Sequence, residues 1–358
     1  MKTYICSEIL TQLSLFALIM LIINNKVLSK SIKTELIASS VLIMMCAILE
    51  FAGAVFDKGF ATSIILHTLA KYLELCLTPI VPIMLTKVFY SVKSKKIAFI
   101  PSIINIILQT LSLFGGFIFY VDNANIYHHG KFYWLYFFFI FVNILYLSYV
   151  TVKFGRKLQN RNYIPLFAII IFVLVGLIFQ ATDSNIKIVW LTVAIGMILF
   201  YIYYCNMVYQ VDSMTELLNR RAYEINKSLL KKRAYIIFFD VNNFKSINDK
   251  FGHDIGDLCL KCVADTIRKI YDRNGLCYRI GGDEFCVIID KKTHSCNIEK
   301  LNEQFANLLS VKNCNNIAIP SVAIGYALFN PKSTELSGAI RYADEQMYLN
   351  KNKNKYKQ

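Results

Sequence analysis

Seven apolar runs dominate the first 208 residues, at about 5–24, 36–56, 68–90, 97–120, 133–152, 164–182 and 188–208. Each approaches the ~20 residues that a helix needs to cross a bilayer. Lys71 and Glu74 interrupt the start of the third run, and Pro79 and Pro82 follow at positions able to break or kink it. The predicted architecture of this half is an all-α bundle of seven transmembrane helices. The first run lacks a small-residue cleavage site and reads as a retained helix.

The loops between the runs alternate in charge. The first (Lys26, Lys30, Lys33), third (Lys93, Lys95, Lys96) and fifth (Lys153, Arg156, Lys157, Arg161) are basic. The second (Asp57, Lys58), fourth (Asp122, Lys131) and sixth (Asp183, Lys187) are nearly balanced. Basic short loops stay on the cytoplasmic side. Seven crossings with odd loops inside then place the N-terminus outside and the C-terminal part in the cytoplasm, in a multi-pass protein of the cell (inner) membrane.

Of the chain's 39 Lys/Arg and 24 Asp/Glu, residues 1–208 hold 16 and 7. The remainder is charged densely enough, and is long enough, for a soluble domain with its own core. The expected division is 1–208 membrane sensor region, 209–213 connector and 214–358 cytoplasmic domain. The connector Tyr209-Gln210-Val211-Asp212-Ser213 contains no Gly or Pro, so a stiff junction is expected. The formal charge of +15 is explained by loop orientation, and nucleic acid is not expected as a partner.

Ten scattered cysteines form no regular framework and are expected to be reduced thiols. Cys259 and Cys262 match CxxC, but no second pair has zinc-ribbon spacing, so a packed helix face is the expected role. Glu50, His67, Lys71 and Glu74 fall in or near apolar runs, where ionisable groups turn to a bundle interior. They are consistent with a ligand-sensing pocket, with a structural ion pair and with interfacial placement. A transporter is disfavoured by the lack of an evident repeat.

The polar half alternates helix and strand. Helices are expected over 215–232, 254–272, 298–310 and 337–350, and strands over 235–239, 277–280, 285–289 and 321–328. This predicts an α+β sandwich of one sheet with helices packed on it. Gly281 and Gly282 are expected to supply the backbone angles of a tight hairpin turn. Asp283 and Glu284 then lie at the sheet edge beside it, and Asp240 ends the first strand. Should that strand neighbour the hairpin, Asp240 and Asp283 converge, and two carboxylates with backbone oxygens suit a hard Mg²⁺ that also takes phosphate oxygens. Two unrelated strand-end acids are the competing reading. His253, in a turn after Gly252, reads as structural.

Several ordered stretches carry a resemblance: DSMTELLNRR (212–221), DVNNFKSINDKFGHDIGD (240–257), RIGGDEF (279–285), SVAIGYA (321–327) and RYADEQMYLNK (341–351). Together, residues 212–355 resemble the GGDEF family of diguanylate cyclases, which join two GTP into cyclic di-GMP and pyrophosphate. The resemblance implies a GGDEF fold with a palm-like (nucleotidyl-cyclase-like) central sheet flanked by helices, and a homodimer for catalysis. It implies that Asp240, the carbonyl of Val241 and Asp283 hold two Mg²⁺ (with Mn²⁺ a possible substitute), and that Glu284 acts as base or charge stabiliser. The main chain at Asn243 and Phe244, with Lys245, would bind phosphates. Asn248 and Asp257 would read guanine, and Lys351 and Lys355 would reach the terminal phosphates. A catalytically silent GTP- or partner-binding receptor with the same fold is the alternative.

Four departures from the family pattern stand out. Asn242 replaces a frequent acid, Met214 a Leu, Glu216 a usual Gly, and Lys355 a frequent Arg. Upstream of the turn, Asp272 and Gly275 occupy the positions of the family's Arg-x-x-Asp product-inhibition site, which is therefore not expected here.

Overall fold

The computed structural model describes residues 2–59, 63–89, 96–159, 162–182, 187–290, 297–314 and 317–355. Lys93, Lys95, Arg161 and Asp183, used above for loop charge, lie outside them. The chain divides into two compact units: 1–155 with 162–205, and 206–358 with 156–161.

The first unit is helical: α1 (Lys2–Asn24), α2 (Lys30–Phe56), α3 (Ile64–Leu77), α4 (Ile80–Thr86), α5 (Ile100–Gly115), α6 (Trp134–Lys157), α7 (Ile164–Thr182) and α8 (Val189–Val208). The third apolar run becomes two helices, because Pro79 and Pro82 interrupt amide bonding between α3 and α4. Among the described residues, six helical spans are long and apolar enough to cross a membrane, with α3–α4 counted as one; Ile164–Phe179 is a shorter apolar helix. Many large apolar side chains point outward, Phe114 at 90% exposure among them, which is consistent with a membrane protein. Polar side chains point inward: Asn143 donates to Pro79 O at 2.6 Å, taking up a carbonyl at the α3–α4 break. A short hairpin, β1 (Phe119–Val121) with β2 (Tyr127–His129), joins α5 to α6.

The second unit is built on a four-stranded antiparallel sheet. Its strands are β3 (Ala234–Val241), β4 (Leu276–Arg279), β5 (Glu284–Asp290) and β8 (Val322–Phe329), in the order β4-β5-β3-β8. A two-residue ladder, β6 (Asn313–Cys314) with β7 (Ile317–Ala318), lies apart from it. The central strand β3 reads AYIIFFDV and is almost wholly buried, because both faces are covered. Ile237, Phe239 and Val241 face one core with α11 (His253–Tyr271) and α12 (Ile298–Ser310); Ile236 and Phe238 face the other with α9 (Arg220–Ser228) and α13 (Leu336–Lys355). Cys259 is buried in the first core and Cys262 packs against it, as the helix-face reading expected.

Three expectations are corrected. Helix α9 starts at Arg220, not 215, because Asn219 caps it by accepting the Ala222 amide and residues 212–217 fold into a tight loop. The short helix α10 (Phe244–Phe251) was not anticipated. Neither Gly281 nor Gly282 adopts a positive φ. A Cβ at Gly281 would sit 2.5 Å from Glu284 Oε2, so a side chain there would displace the end of that glutamate.

Candidate active site

The acids gather where β3 ends and β5 begins. Asp240 is the register partner of Glu284 across the antiparallel pair, so their side chains share one face. Asp283 immediately precedes β5, and its carbonyl accepts the Val241 amide at 3.2 Å. That hydrogen bond ties the turn to the end of β3 and fixes the three carboxylates near one another. Arg279 braces the same turn: Nη2 donates to Gly282 O at 2.8 Å, while Nη1 meets Asp212 Oδ1 at 3.1 Å.

The electrostatics match this crowding. Burial raises the Asp240 carboxyl above its ordinary range; Lys351 pulls it back, and Asp283 and Asp344 push it further up. Burial also raises Glu284, followed by the charges of Asp240, Asp283 and Asp344. Asp344, on α13, is an acid for which sequence reasoning had no role. Its position in RYADEQMYLNK was the available signal. Lys351, also on α13, donates to Asp240 Oδ1 at 2.6 Å. Helix α13 comes this close because Gly325 on β8 has no side chain: a Cβ there would lie 2.2 Å from Ala343 O.

This surplus of negative charge fits a cation. Among the described residues no three His, Cys, Asp or Glu side chains form a ready metal cage. A hard divalent ion held by one or two carboxylates and completed by substrate phosphates needs no such cage. Lys351 on Asp240 already shows that the cluster takes positive charge.

Beyond β3 the chain turns through Asn243, which adopts φ 53°, ψ 27° and leads into α10. A left-handed residue ahead of a helix N-terminus directs successive amides the same way, an arrangement suited to phosphate. Lys245, in the first turn, is exposed. Asn242 is buried and its amide donates to Ser321 Oγ at 2.8 Å. The position where an acid is frequent therefore serves β8 packing here. Asn248 on α10 holds its Oδ1 buried with no hydrogen-bond partner among the described residues. Asp257, in the second turn of α11, is exposed. Lys355 lies in the last turn of α13, and its side chain is outside the described set. Asp272 accepts from Gln159 Nε2 at 2.6 Å, within the second unit.

Residues 209–357 match the family model "Diguanylate cyclase, GGDEF domain". The same region is 31% identical over 150 residues to the diguanylate cyclase DgcP of Escherichia coli, covering 39% of this chain and 44% of that protein. It is 32% identical over 158 residues to the signaling protein YkoW of Bacillus subtilis, covering 41% and 20% respectively. The matched stretch spans less than half the length of either relative. Among solved structures, the coiled coil and GGDEF domain of DgcB from Caulobacter crescentus, in complex with c-di-GMP, aligns at 20% identity and TM-score 0.40, covering 49% of this chain and 95% of that one. The GGDEF domain of YfiN from Pseudomonas aeruginosa aligns at 27% identity and TM-score 0.35, covering 40% and 89%.

Proposed function

Residues 209–357 are a GGDEF domain, and from that premise we propose that the chain is a membrane-bound diguanylate cyclase condensing two GTP into cyclic di-GMP and two pyrophosphates. The observation that carries this reading is the convergence of Asp240, Asp283 and Glu284 at one end of the sheet, beside the N-terminus of α10. We further assign a seven-helix membrane bundle with the N-terminus outside and the GGDEF domain in the cytoplasm, on the alternation of loop charge.

Asp240, Asp283 and the Val241 carbonyl would hold two divalent ions, with Mg²⁺ the best fit to an all-oxygen donor set. Such ions, when bound, neutralise charge on the triphosphate and orient it. The main chain at Asn243 and Phe244, with Lys245, receives phosphate oxygens. Lys351 leaves Asp240 and, with Lys355, meets the terminal phosphates. Asp257 accepts from N1–H and N2–H of guanine, a donor pair that adenine lacks, and Asn248 uses its unpartnered Oδ1 and its amide on the same ring. The 3′-hydroxyl of one GTP attacks the α-phosphorus of the other and pyrophosphate leaves. Glu284 takes the hydroxyl proton or holds the charge that develops. One domain holds one GTP, so two domains face each other and the working unit is a homodimer.

The test is product analysis by mass spectrometry on the full chain in lipid nanodiscs, with GTP and Mg²⁺. Wild type is expected to yield cyclic di-GMP, and Asp283→Asn to lose it by at least ~10²-fold. A folded, GTP-binding wild-type dimer that makes no dinucleotide would replace this reading with that of a silent receptor.

A further inference from the structure

The first unit holds a partly open pocket of about 810 Å³, a size usual for a small-molecule site. It is lined from α2, α3, α4, α6, α7 and α8, and its wall is sharply divided. At one end lie Glu50, Asp57, Lys58, Lys71, Glu74 and Lys187, every charged residue of the lining. They come from the C-terminal end of α2 and the segment after it, from α3, and from the residue pair leading into α8. Tyr127 and His129 of the β1–β2 hairpin and Tyr133 close the same end. Beyond Thr78 the wall is apolar, running to Leu85, Leu147, Leu166 and Phe200. Along α8 the lining extends from Val189 to Phe200, about 16 Å at the helical rise of ~1.5 Å per residue.

The charged end is built. Lys71 and Glu74 are each 8% exposed and meet at 2.9 Å. The Lys71 ammonium also lies 4.9 Å from the centre of the Tyr127 ring. Its stem rests on Gly53 of α2, where a Cβ would collide with it. Glu50 is 6% exposed and lies 4.0 Å from Lys187. Three acids and three lysines balance in formal charge. Structural ion pairs account for Lys71 with Glu74 and for Glu50 with Lys187. They do not account for a long apolar chamber opening from them.

We propose that this cavity binds a single-chain amphiphile whose head group carries no net charge, zwitterionic or neutral. The elongated apolar chamber takes the chain. The balanced polar end takes a head that both donates and accepts. A head with net charge would leave that charge uncompensated beside the buried Lys71, Glu74 and Glu50, which is costly.

The test uses the full chain in phosphatidylcholine–phosphatidylglycerol nanodiscs and a lysophosphatidylcholine bearing a photoreactive group at its chain end. Crosslinks are expected on peptides containing Leu147, Leu166 or Phe200, suppressed by unlabelled lysophosphatidylcholine. Fatty carboxylate and alkyl trimethylammonium of matched chain length should compete about tenfold more weakly, equivalent to ~1.4 kcal/mol. Val193→Trp, which fills the chamber, should abolish labelling. Ile178→Trp, at an outward-facing site 61% exposed, should leave it unchanged. Glu74→Gln leaves the lining net positive and should shift preference toward the carboxylate head. Labelling that is insensitive to Val193→Trp, or equal competition by all three heads in wild type, overturns the proposal. If bulk two-chain lipid fills the cavity, unlabelled lysophosphatidylcholine will not compete, which also overturns it.

Discussion

Lys351 Nζ lies 2.6 Å from Asp240 Oδ1, joining the last helix of the GGDEF domain to the end of its central strand. The aspartate side chain is nearly enclosed, at 9% exposure, and the lysine side chain is 27% exposed. Burial still outweighs the lysine, and the Asp240 carboxyl stays raised. The pair thus holds an otherwise crowded anionic centre together.

Removing the lysine should expose that crowding. Lys351→Met leaves a buried carboxylate without its ammonium, a change that costs about 1–3 kcal/mol. Thermal unfolding of the full chain in micelles should show the loss in chelator, and Mg²⁺ should restore more stability to the variant than to wild type. Equal responses to Mg²⁺ would mean that the lysine and the ion do not share a site.

The packing at Gly275 leaves no room for the aspartate of the Arg-x-x-Asp pattern. A Cβ at Gly275 would lie 2.5 Å from Ile288 O on β5, too close for any side chain without backbone movement. Gly275→Asp should therefore destabilise by about 1–3 kcal/mol, the usual range for overpacking. Initial rates of the wild-type chain should be unchanged by micromolar cyclic di-GMP. A dose-dependent fall that Asp272→Ala removes would contradict this.

Glu216 holds φ at 57°, a left-handed angle that explains why Gly is usual there. A non-glycine residue in that region costs about 1–2 kcal/mol. Arg268 donates to the Glu216 carbonyl and lies 3.4 Å from its carboxylate. Glu216→Gly and Glu216→Ala both lose the ion pairs to Arg268 and Lys157, and only the glycine relieves the angle. The glycine variant should be the more stable of the two by ~1 kcal/mol. Equal unfolding temperatures would sink the strain argument.

Asp212 gives a pH signature. Burial pushes its carboxyl up, but hydrogen bonds from the Thr215 hydroxyl and amide, with Arg279, outweigh burial and hold it below the usual range. A carboxyl depressed in the folded state contributes stability that is present above its unfolded value of ~4 and is lost as pH falls through the folded value. The unfolding-temperature gap between wild type and Asp212→Asn should be full at neutral pH and shrink below about pH 4. A gap that does not change with pH would assign the effect to packing.

Periodicity and composition determined the helical first half, the four sheet strands and the order of the motifs. These are local properties: an apolar run of a given length has few ways to satisfy its backbone, and a strand shows its buried face every second residue. The acids at 240, 283 and 284 and the residues at 248 and 257 were all legible as types at a spacing. A break or kink at Pro79 and Pro82 was readable too, and the chain takes the break. Tertiary structure alone decided the rest. That Asp240 faces Glu284 depends on strand register; that Lys351 reaches Asp240 depends on α13 closing over Gly325. That six charged residues from distant segments cap one apolar chamber depends on how the helices stand around it. Contacts between residues far apart in the chain arise only when loops close and faces pack, so no window of sequence contains them.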